Sequence, residues 1–182
     1  PLDTITTRSG PLPPGLMAGF LQVCCKDRAV SVRWQSRSAE QTEQLGEQLG
    51  RMLRPGDVIT LEAPLGGGKT TLVRGLARGL GIDESAVSSP TFVIWNIYSG
   101  RLRLHHLDAY RLRSPDELEE IGFVEALDQG DVVVLEWPGV AAPLLPKHRL
   151  ELSLDYGQGP EDRVLEMRGW DDRLTELCLE SR

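Results

Sequence analysis

Short apolar runs alternate along the chain with longer stretches in which apolar residues recur every three or four positions. Residues 28–34 (RAVSVRW) alternate well enough to predict an edge strand. Ser38 followed by Gln41 forms a capping box, and Leu45, Leu49, Met52 and Leu53 recur behind it at helical spacing until Pro55-Gly56 stops the helix. The run 57–62 (DVITLE) is short and mostly apolar, which predicts a buried strand. A second helix opens at a glycine run and carries Leu72, Val73, Leu76, Ala77 and Leu80 on one face before Gly81 ends it. Phe92–Tyr98 and Leu102–Leu107 flank Ser99-Gly100 and predict a hairpin. Ser114-Pro115-Asp116-Glu117 combines a capping box with proline at the first helical position. Val132–Leu135 predicts an interior strand. Leu150–Leu154 and Arg163–Met167 predict a second hairpin across a Gly-rich turn, with a short helix from Asp171. The sequence shows no internal repeat. Together these elements predict a single-domain α/β fold whose mixed sheet has parallel and antiparallel pairs and is flanked by helices.

Composition narrows this picture. At 182 residues the chain has room for one ordinary core, and 40% apolar with 26% charged residues fits a packed domain. Residues 1–19 hold four prolines and three glycines without apolar periodicity, so 1–27 reads as a disordered extension and 28–182 as the domain. The formal charge of −7 excludes a protein whose whole surface grips nucleic acid or anionic lipid. The charge is uneven: residues 1–37 carry +3 and residues 38–182 carry −10. The segment 114–146 holds eight carboxylates and no Lys or Arg, mostly a solvated helix face. Cys24, Cys25 and Cys178 form neither a disulfide framework nor a zinc pattern, which predicts a reduced, cytoplasmic protein. No apolar run approaches the roughly 20 residues that span a bilayer.

The strongest chemical signal is Ala63-Pro64-Leu65-Gly66-Gly67-Gly68-Lys69-Thr70-Thr71, set between a predicted strand and a predicted helix. It reads as a P-loop whose first position is alanine. Glycines let successive backbone N–H groups curl around a phosphate, and the helix N-terminus adds partial positive charge. Lys69 would reach the β- and γ-phosphates and the Thr70 hydroxyl would ligate Mg²⁺. Lys69 is one of only three lysines in a chain that otherwise uses arginine, so its presence in the loop is suggestive.

Mg²⁺ held with a triphosphate needs a carboxylate near a neighbouring strand end. Asp108 closes the run Leu102–Leu107 and is the best-placed candidate, although a lone strand-end Asp is ordinarily a turn residue. His105 and His106 beside it read as structural, one on each face of the strand. Glu136 ends the apolar strand before Trp137-Pro138, where open α/β sheets keep their chemistry, and would orient the attacking water or an outer metal water. Thr91, after Ser88-Ser89-Pro90, offers a second hydroxyl for Mg²⁺ or a sensor of the γ-phosphate, and in isolation reads equally as a turn entering a strand.

Taken in order, these segments resemble the TsaE (YjeE) family, the P-loop ATPase of bacterial tRNA threonylcarbamoyladenosine synthesis. The likeness spans roughly residues 38–140 and rests on Leu65-Gly66 through Thr71, Ser89-Pro90-Thr91-Phe92, His106-Leu107-Asp108-Ala109-Tyr110-Arg111 and Glu136-Trp137. The family loop usually opens with Gly-Asp where this chain has Ala63-Pro64. The resemblance implies a P-loop NTPase-like fold, ATP and Mg²⁺ as cofactors, weak hydrolysis, and action with the partner proteins TsaB and TsaD without transferring the threonylcarbamoyl group itself. It also implies that Lys69, Thr70 and Asp108 bind phosphate and metal, that Thr91 belongs to a switch-like loop, and that Glu136 and Trp137 sit near the nucleotide.

Two rivals share the loop: a small-molecule kinase, and a nucleotide-dependent interaction switch in which hydrolysis is incidental. A kinase would be expected to carry an Arg-bearing lid, and the basic cluster after the loop is Arg101, Arg103, Arg111 and Arg113. Those arginines equally suit a partner or tRNA phosphate, which makes them a better expected tRNA contact than 114–146.

Overall fold

The computed structural model describes residues 20–26, 29–170, 172–174 and 177. Its centre is the pair of apolar runs read above as buried strands, now β3 (Val58–Glu62) and β6 (Val132–Glu136), which lie side by side and parallel with Leu61 opposite Glu136. With β1 (Phe20–Lys26), β2 (Ala29–Ser36), β4 (Trp95–Ser99), β5 (Arg103–Asp108), β7 (Leu150–Tyr156) and β8 (Arg163–Arg168) they form one sheet in the order β1-β2-β8-β7-β3-β6-β5-β4. The four strands β7, β3, β6 and β5 are parallel, and both flanks are antiparallel. The expected α/β class and mixed sheet therefore hold.

Side chains alternate across the central strands, as extended backbone requires. Val132 and Val134 enter a core with α1 (Ala39–Met52) and α2 (Lys69–Gly79), whereas Val133 and Leu135 enter a second core with α3 (Pro115–Glu120) and α4 (Phe123–Asp128). On β7 only one face is apolar: Leu150, Leu152 and Leu154 are buried while Glu151, Ser153 and Asp155 are exposed. That is the pattern of a sheet region covered on one side.

Helix α1 starts where its capping box places it. Ser38 Oγ accepts from the Gln41 N–H at 3.2 Å, and Gln41 Oε1 accepts from the Arg37 N–H at 2.8 Å. Glycines four residues apart on each helix set the α1–α2 contact. A Cβ at Gly46 would lie 2.4 Å from the Leu72 carbonyl oxygen, and one at Gly75 only 2.0 Å from that of Glu43. The roughly 1 kcal/mol that glycine costs inside a helix is offset here by close backbone approach.

Several boundaries differ from the sequence reading. The sheet begins at Phe20, so residues 20–26, assigned by sequence to the extension, form a strand; residues 1–19, 27 and 28 lie outside the described part. The physical reason is the β2 ladder, which pairs every residue from Phe20 to Lys26. Consequently β2 has neighbours on both sides, and the edge belongs to β1. β4 begins at Trp95 rather than Phe92, because residues 91–93 form a turn and Ile94 takes a left-handed φ of 70°. The helix expected from Ser114 divides into α3 and α4 at Gly122, whose φ is +88°. Ser114 makes no side-chain cap; Glu117 instead accepts from the Arg113 N–H at 3.1 Å. The hairpin β7–β8 stands as expected, and residues 172–174 are helical.

Arg101 closes the far end of α1. Its guanidinium donates to the carbonyls of Gly50, Arg51 and Leu53 at 2.7, 3.0 and 3.0 Å, at the helix end where intrahelical N–H donors run out. Arg101→Ala is expected to cost about 1–2 kcal/mol, read as a lower urea midpoint with unchanged slope. No change in midpoint would mean that water replaces the guanidinium without loss.

Candidate nucleotide site

The strand ends define the site. β3 runs directly into the glycine loop, and in the neighbouring strands Glu136 stands opposite both Leu61 and Asp108. Three parallel strands thus deliver the loop and two carboxylates to one sheet edge. A cleft of about 400 Å³ is lined there by residues 65–71, Ser89, Thr91, Asp108, Tyr110, Glu136 and Trp137. All the site residues expected from the sequence line this one cleft.

Within the loop, Gly66 and Gly68 adopt φ of +74° and +101°, conformations open to glycine and strained for other residues. The Gly67 N–H donates to the Pro64 carbonyl at 2.9 Å, closing the turn. Ala63 is absent from the residues with positive φ, so alanine is accommodated without strain. Pro64 does not line the cleft but a groove beside it.

Lys69 is buried with 8% exposure, and its ammonium has sparse company: the Ala63 carbonyl at 3.3 Å, Glu136 Oε2 at 3.8 Å and the Trp137 ring at 4.7 Å. A buried ammonium with one long hydrogen bond has donors to spare for an anion. Glu136 is buried too, and its other oxygen, Oε1, is 2.8 Å from His106 Nε2. The two partners fix the carboxylate so that one oxygen faces His106 and the other faces Lys69. Trp137, next in sequence, has φ 56° and donates its N–H to the Leu61 carbonyl at 3.2 Å. Such a backbone costs on the order of 1–3 kcal/mol and is typical of sites where surrounding structure holds a side chain in place.

Asp108 is held on both oxygens. Thr91 Oγ1 donates to Oδ2 at 2.7 Å, and the Tyr110 N–H donates to Oδ1 at 2.8 Å. Ser89 Oγ lies 2.8 Å from Thr91 Oγ1, so the segment 89–91 is tied through one hydroxyl to the candidate metal ligand. Tyr110 packs its ring 5.2 Å from that of Trp137.

His106, read from sequence as structural, lies against Glu136, and Tyr110 lines the cleft; residue-type reasoning anticipated neither contact, although both residues belong to the His-x-Asp-x-Tyr-Arg segment. His105 is structural as expected, bridging Trp95 Nε1 and Asp131. The four arginines do not form one patch. Arg101 and Arg103 lie at the start of β5, with Arg103 on Asp131, and at about 3.3 Å per residue Arg103 is roughly 17 Å from Asp108. Arg111 lies over the Phe92 ring at 5.0 Å on the site side. The expected common surface is thus divided between the two ends of a strand, because alternate sequence neighbours on a strand separate along its length.

A strand, a phosphate-type glycine loop and a helix, with acidic residues on the adjacent parallel strand ends, define an α/β protein of the P-loop class. The crystal structure of YdiB from Bacillus subtilis has this fold at a TM-score of 0.66 and 29% identity, covering 85% of this chain and 96% of that one. The family model described as threonylcarbamoyl adenosine biosynthesis protein TsaE matches residues 36–164. The tRNA threonylcarbamoyladenosine biosynthesis protein TsaE of Treponema pallidum is 43% identical over 123 residues, 68% of this chain and 90% of that protein. Its namesake in Bacillus subtilis is 36% identical over 150 residues, 82% of this chain and 92% of that protein. The chain belongs to the TsaE family of tRNA threonylcarbamoyladenosine biosynthesis proteins. Among the described residues no helix is long and apolar enough to cross a membrane.

Proposed function

We propose that the chain is an ATP-binding, Mg²⁺-dependent ATPase that supports threonylcarbamoyladenosine modification of tRNA by acting with TsaB and TsaD, and that it does not transfer the group itself. The observation that carries this reading is the convergence of a glycine cradle, a buried Lys69 and the carboxylates of Asp108 and Glu136 in one cleft.

The donor chemistry fits the metal. Thr70, Asp108 and Glu136 offer hard oxygens, and among the described residues no group of three His, Cys, Asp or Glu side chains forms a metal cage of its own. Mg²⁺ commonly takes one or two protein oxygens and completes its shell with phosphate and water. Bound there, it would neutralise charge on the β- and γ-phosphate oxygens. Thr70 and Asp108 would hold the metal directly or through water, with Glu136 as the outer contact. The loop N–H groups and Lys69 would hold the phosphates, Glu136 would orient the attacking water, and Thr91 would report the γ-phosphate to the 89–91 segment. The products are ADP and phosphate. A role for tRNA passes through the partner proteins, since Arg101 and Arg103 lie at the opposite end of β5 from Arg111 and form no common patch with it.

The test is phosphate release from ATP by the chain alone, with TsaB and TsaD, and with small acceptors. Stimulation by the pair supports the proposal, and a phosphorylated acceptor would replace it with a kinase. Glu136→Gln is expected to lower phosphate release by about two orders of magnitude or more while nucleotide affinity changes only a few-fold. If Glu136→Ala abolished hydrolysis yet kept activation of the partners, the protein would be a nucleotide switch.

A further inference from the structure

The outer rim of the phosphate loop is held by a part of the chain remote in sequence. Tyr156 ends β7 and Arg163 begins β8, and the two stand directly opposite each other in the hairpin register. Because β7 lies parallel to β3 with Ser153 opposite Glu62, the last residues of β7 extend past the end of β3, alongside the loop. There the Tyr156 hydroxyl donates to the Leu65 carbonyl at 2.6 Å. Arg163 donates from Nε to the Gly67 carbonyl at 3.1 Å and from Nη2 to the Gly66 carbonyl at 3.4 Å. Three successive loop carbonyls therefore have donors from one hairpin.

The donors are themselves fixed. Arg163 Nη1 donates to the Pro160 and Asp162 carbonyls at 3.2 and 2.8 Å, and the guanidinium lies over the Tyr156 ring at 5.1 Å. The turn that joins the strands is closed by the Gly157 N–H to the Asp162 carbonyl at 2.9 Å and by the Gly159 N–H to Asp162 Oδ2 at 3.0 Å. A peptide unit is planar, so its carbonyl and N–H point in opposite directions. Fastening the carbonyls of Leu65, Gly66 and Gly67 toward the hairpin therefore aims the N–H groups of Gly66 and Gly68 the other way, and holds that of Gly67 on the Pro64 carbonyl at 2.9 Å. Glycine backbones are otherwise the least restrained in the chain, and an unrestrained cradle must lose that freedom when an anion binds.

We propose that Tyr156 and Arg163 are positioning residues of the phosphate loop, holding its N–H groups ready for the nucleotide phosphates. This rests on the nucleotide-binding reading above and extends it to residues outside the loop. Preorganisation acts on the bound phosphates of ADP and ATP alike, so the effect belongs to binding and not to the hydrolytic step.

The test uses the full chain with Tyr156→Phe, which removes one hydroxyl, and Arg163→Ala with Arg163→Lys as the conservative partner. Dissociation constants for ADP and a non-hydrolysable ATP analogue are measured with KM, kcat, thermal midpoint and hydrogen exchange of the Gly67 amide without nucleotide. Loss of one hydrogen bond predicts that Tyr156→Phe weakens both nucleotides about three- to tenfold, raises KM with kcat unchanged, and speeds Gly67 exchange. Arg163→Lys is expected to recover part of the loss seen in Arg163→Ala. Unchanged affinity and unchanged Gly67 exchange in both Tyr156→Phe and Arg163→Ala would overturn the proposal, as would an affinity loss that disappears once the temperature is lowered enough to refold the variant. If the unmodified chain bound no nucleotide, the functional reading would fall, and Gly67 exchange would still decide whether the hairpin orders the loop.

Discussion

Replacing Lys69 with alanine is expected to weaken ATP binding by about 10- to 150-fold, the equivalent of one charge-assisted hydrogen bond of roughly 1.5–3 kcal/mol. The basis is the economy of its surroundings. The ammonium is 8% exposed, and among the described residues its one hydrogen bond is to the Ala63 carbonyl at 3.3 Å. Glu136 Oε2, 3.8 Å away, is a longer ionic contact that leaves the ammonium free to turn toward phosphate. Lys69→Met separates charge from packing, because it keeps an unbranched stem beside Trp137. Titration calorimetry with ATP should show the same loss in both variants. Undiminished binding in either would remove the assignment of the whole cleft, since no other lysine lies in the loop.

The loop could be read from sequence because its chemistry is local: residues 63–71 contain the turn, the glycines, the cation and the hydroxyl in one continuous stretch. Asp108 and Glu136 were nearly as accessible, since each closes an apolar run and parallel sheets gather such ends on one side. The contacts that orient these groups were not. His106 reaches Glu136 across two strands whose adjacency depends on sheet order, and Tyr156 meets the Leu65 carbonyl from 91 residues away. Half-buried tyrosine and arginine at hairpin ends have many ordinary uses, so residue type alone carried no signal.

The same division holds for the fold. Periodicity located β3, β6, α1 and α2, whereas the interior position of β2 follows from partners at both ends of the chain. The divided arginines follow from strand length, which turns a cluster in sequence into two separate surfaces. Gly46 with Gly50 and Gly75 with Gly79 repeat a four-residue spacing on both helices, the pattern of a close crossing.

A second large effect lies far from the loop and tests the architecture. Asp57, just before β3, and Arg173, near the end of the chain, are buried at 8% and 7% exposure and form a two-point pair, with Nη1–Oδ2 at 2.5 Å and Nη2–Oδ1 at 2.8 Å. Asp57 Oδ2 also accepts from the Arg54 N–H at 2.7 Å, and the guanidinium stacks 3.6 Å over the Trp170 ring. Asp57→Ala leaves a buried cation without its counter-charge, for which the expected cost is about 3–5 kcal/mol. At about 2–4 °C per kcal/mol for a chain of this size, the thermal midpoint should fall by roughly 10 °C. The loss comes from the unpaired charge and not from missing attraction, so Asp57→Leu combined with Arg173→Met should recover most of it. Equilibrium urea unfolding of the single and double variants measures the coupling directly. Single variants that lose less than about 1 kcal/mol, the range of a solvated surface pair, would show that the pair does not anchor the chain end to the strand feeding the loop.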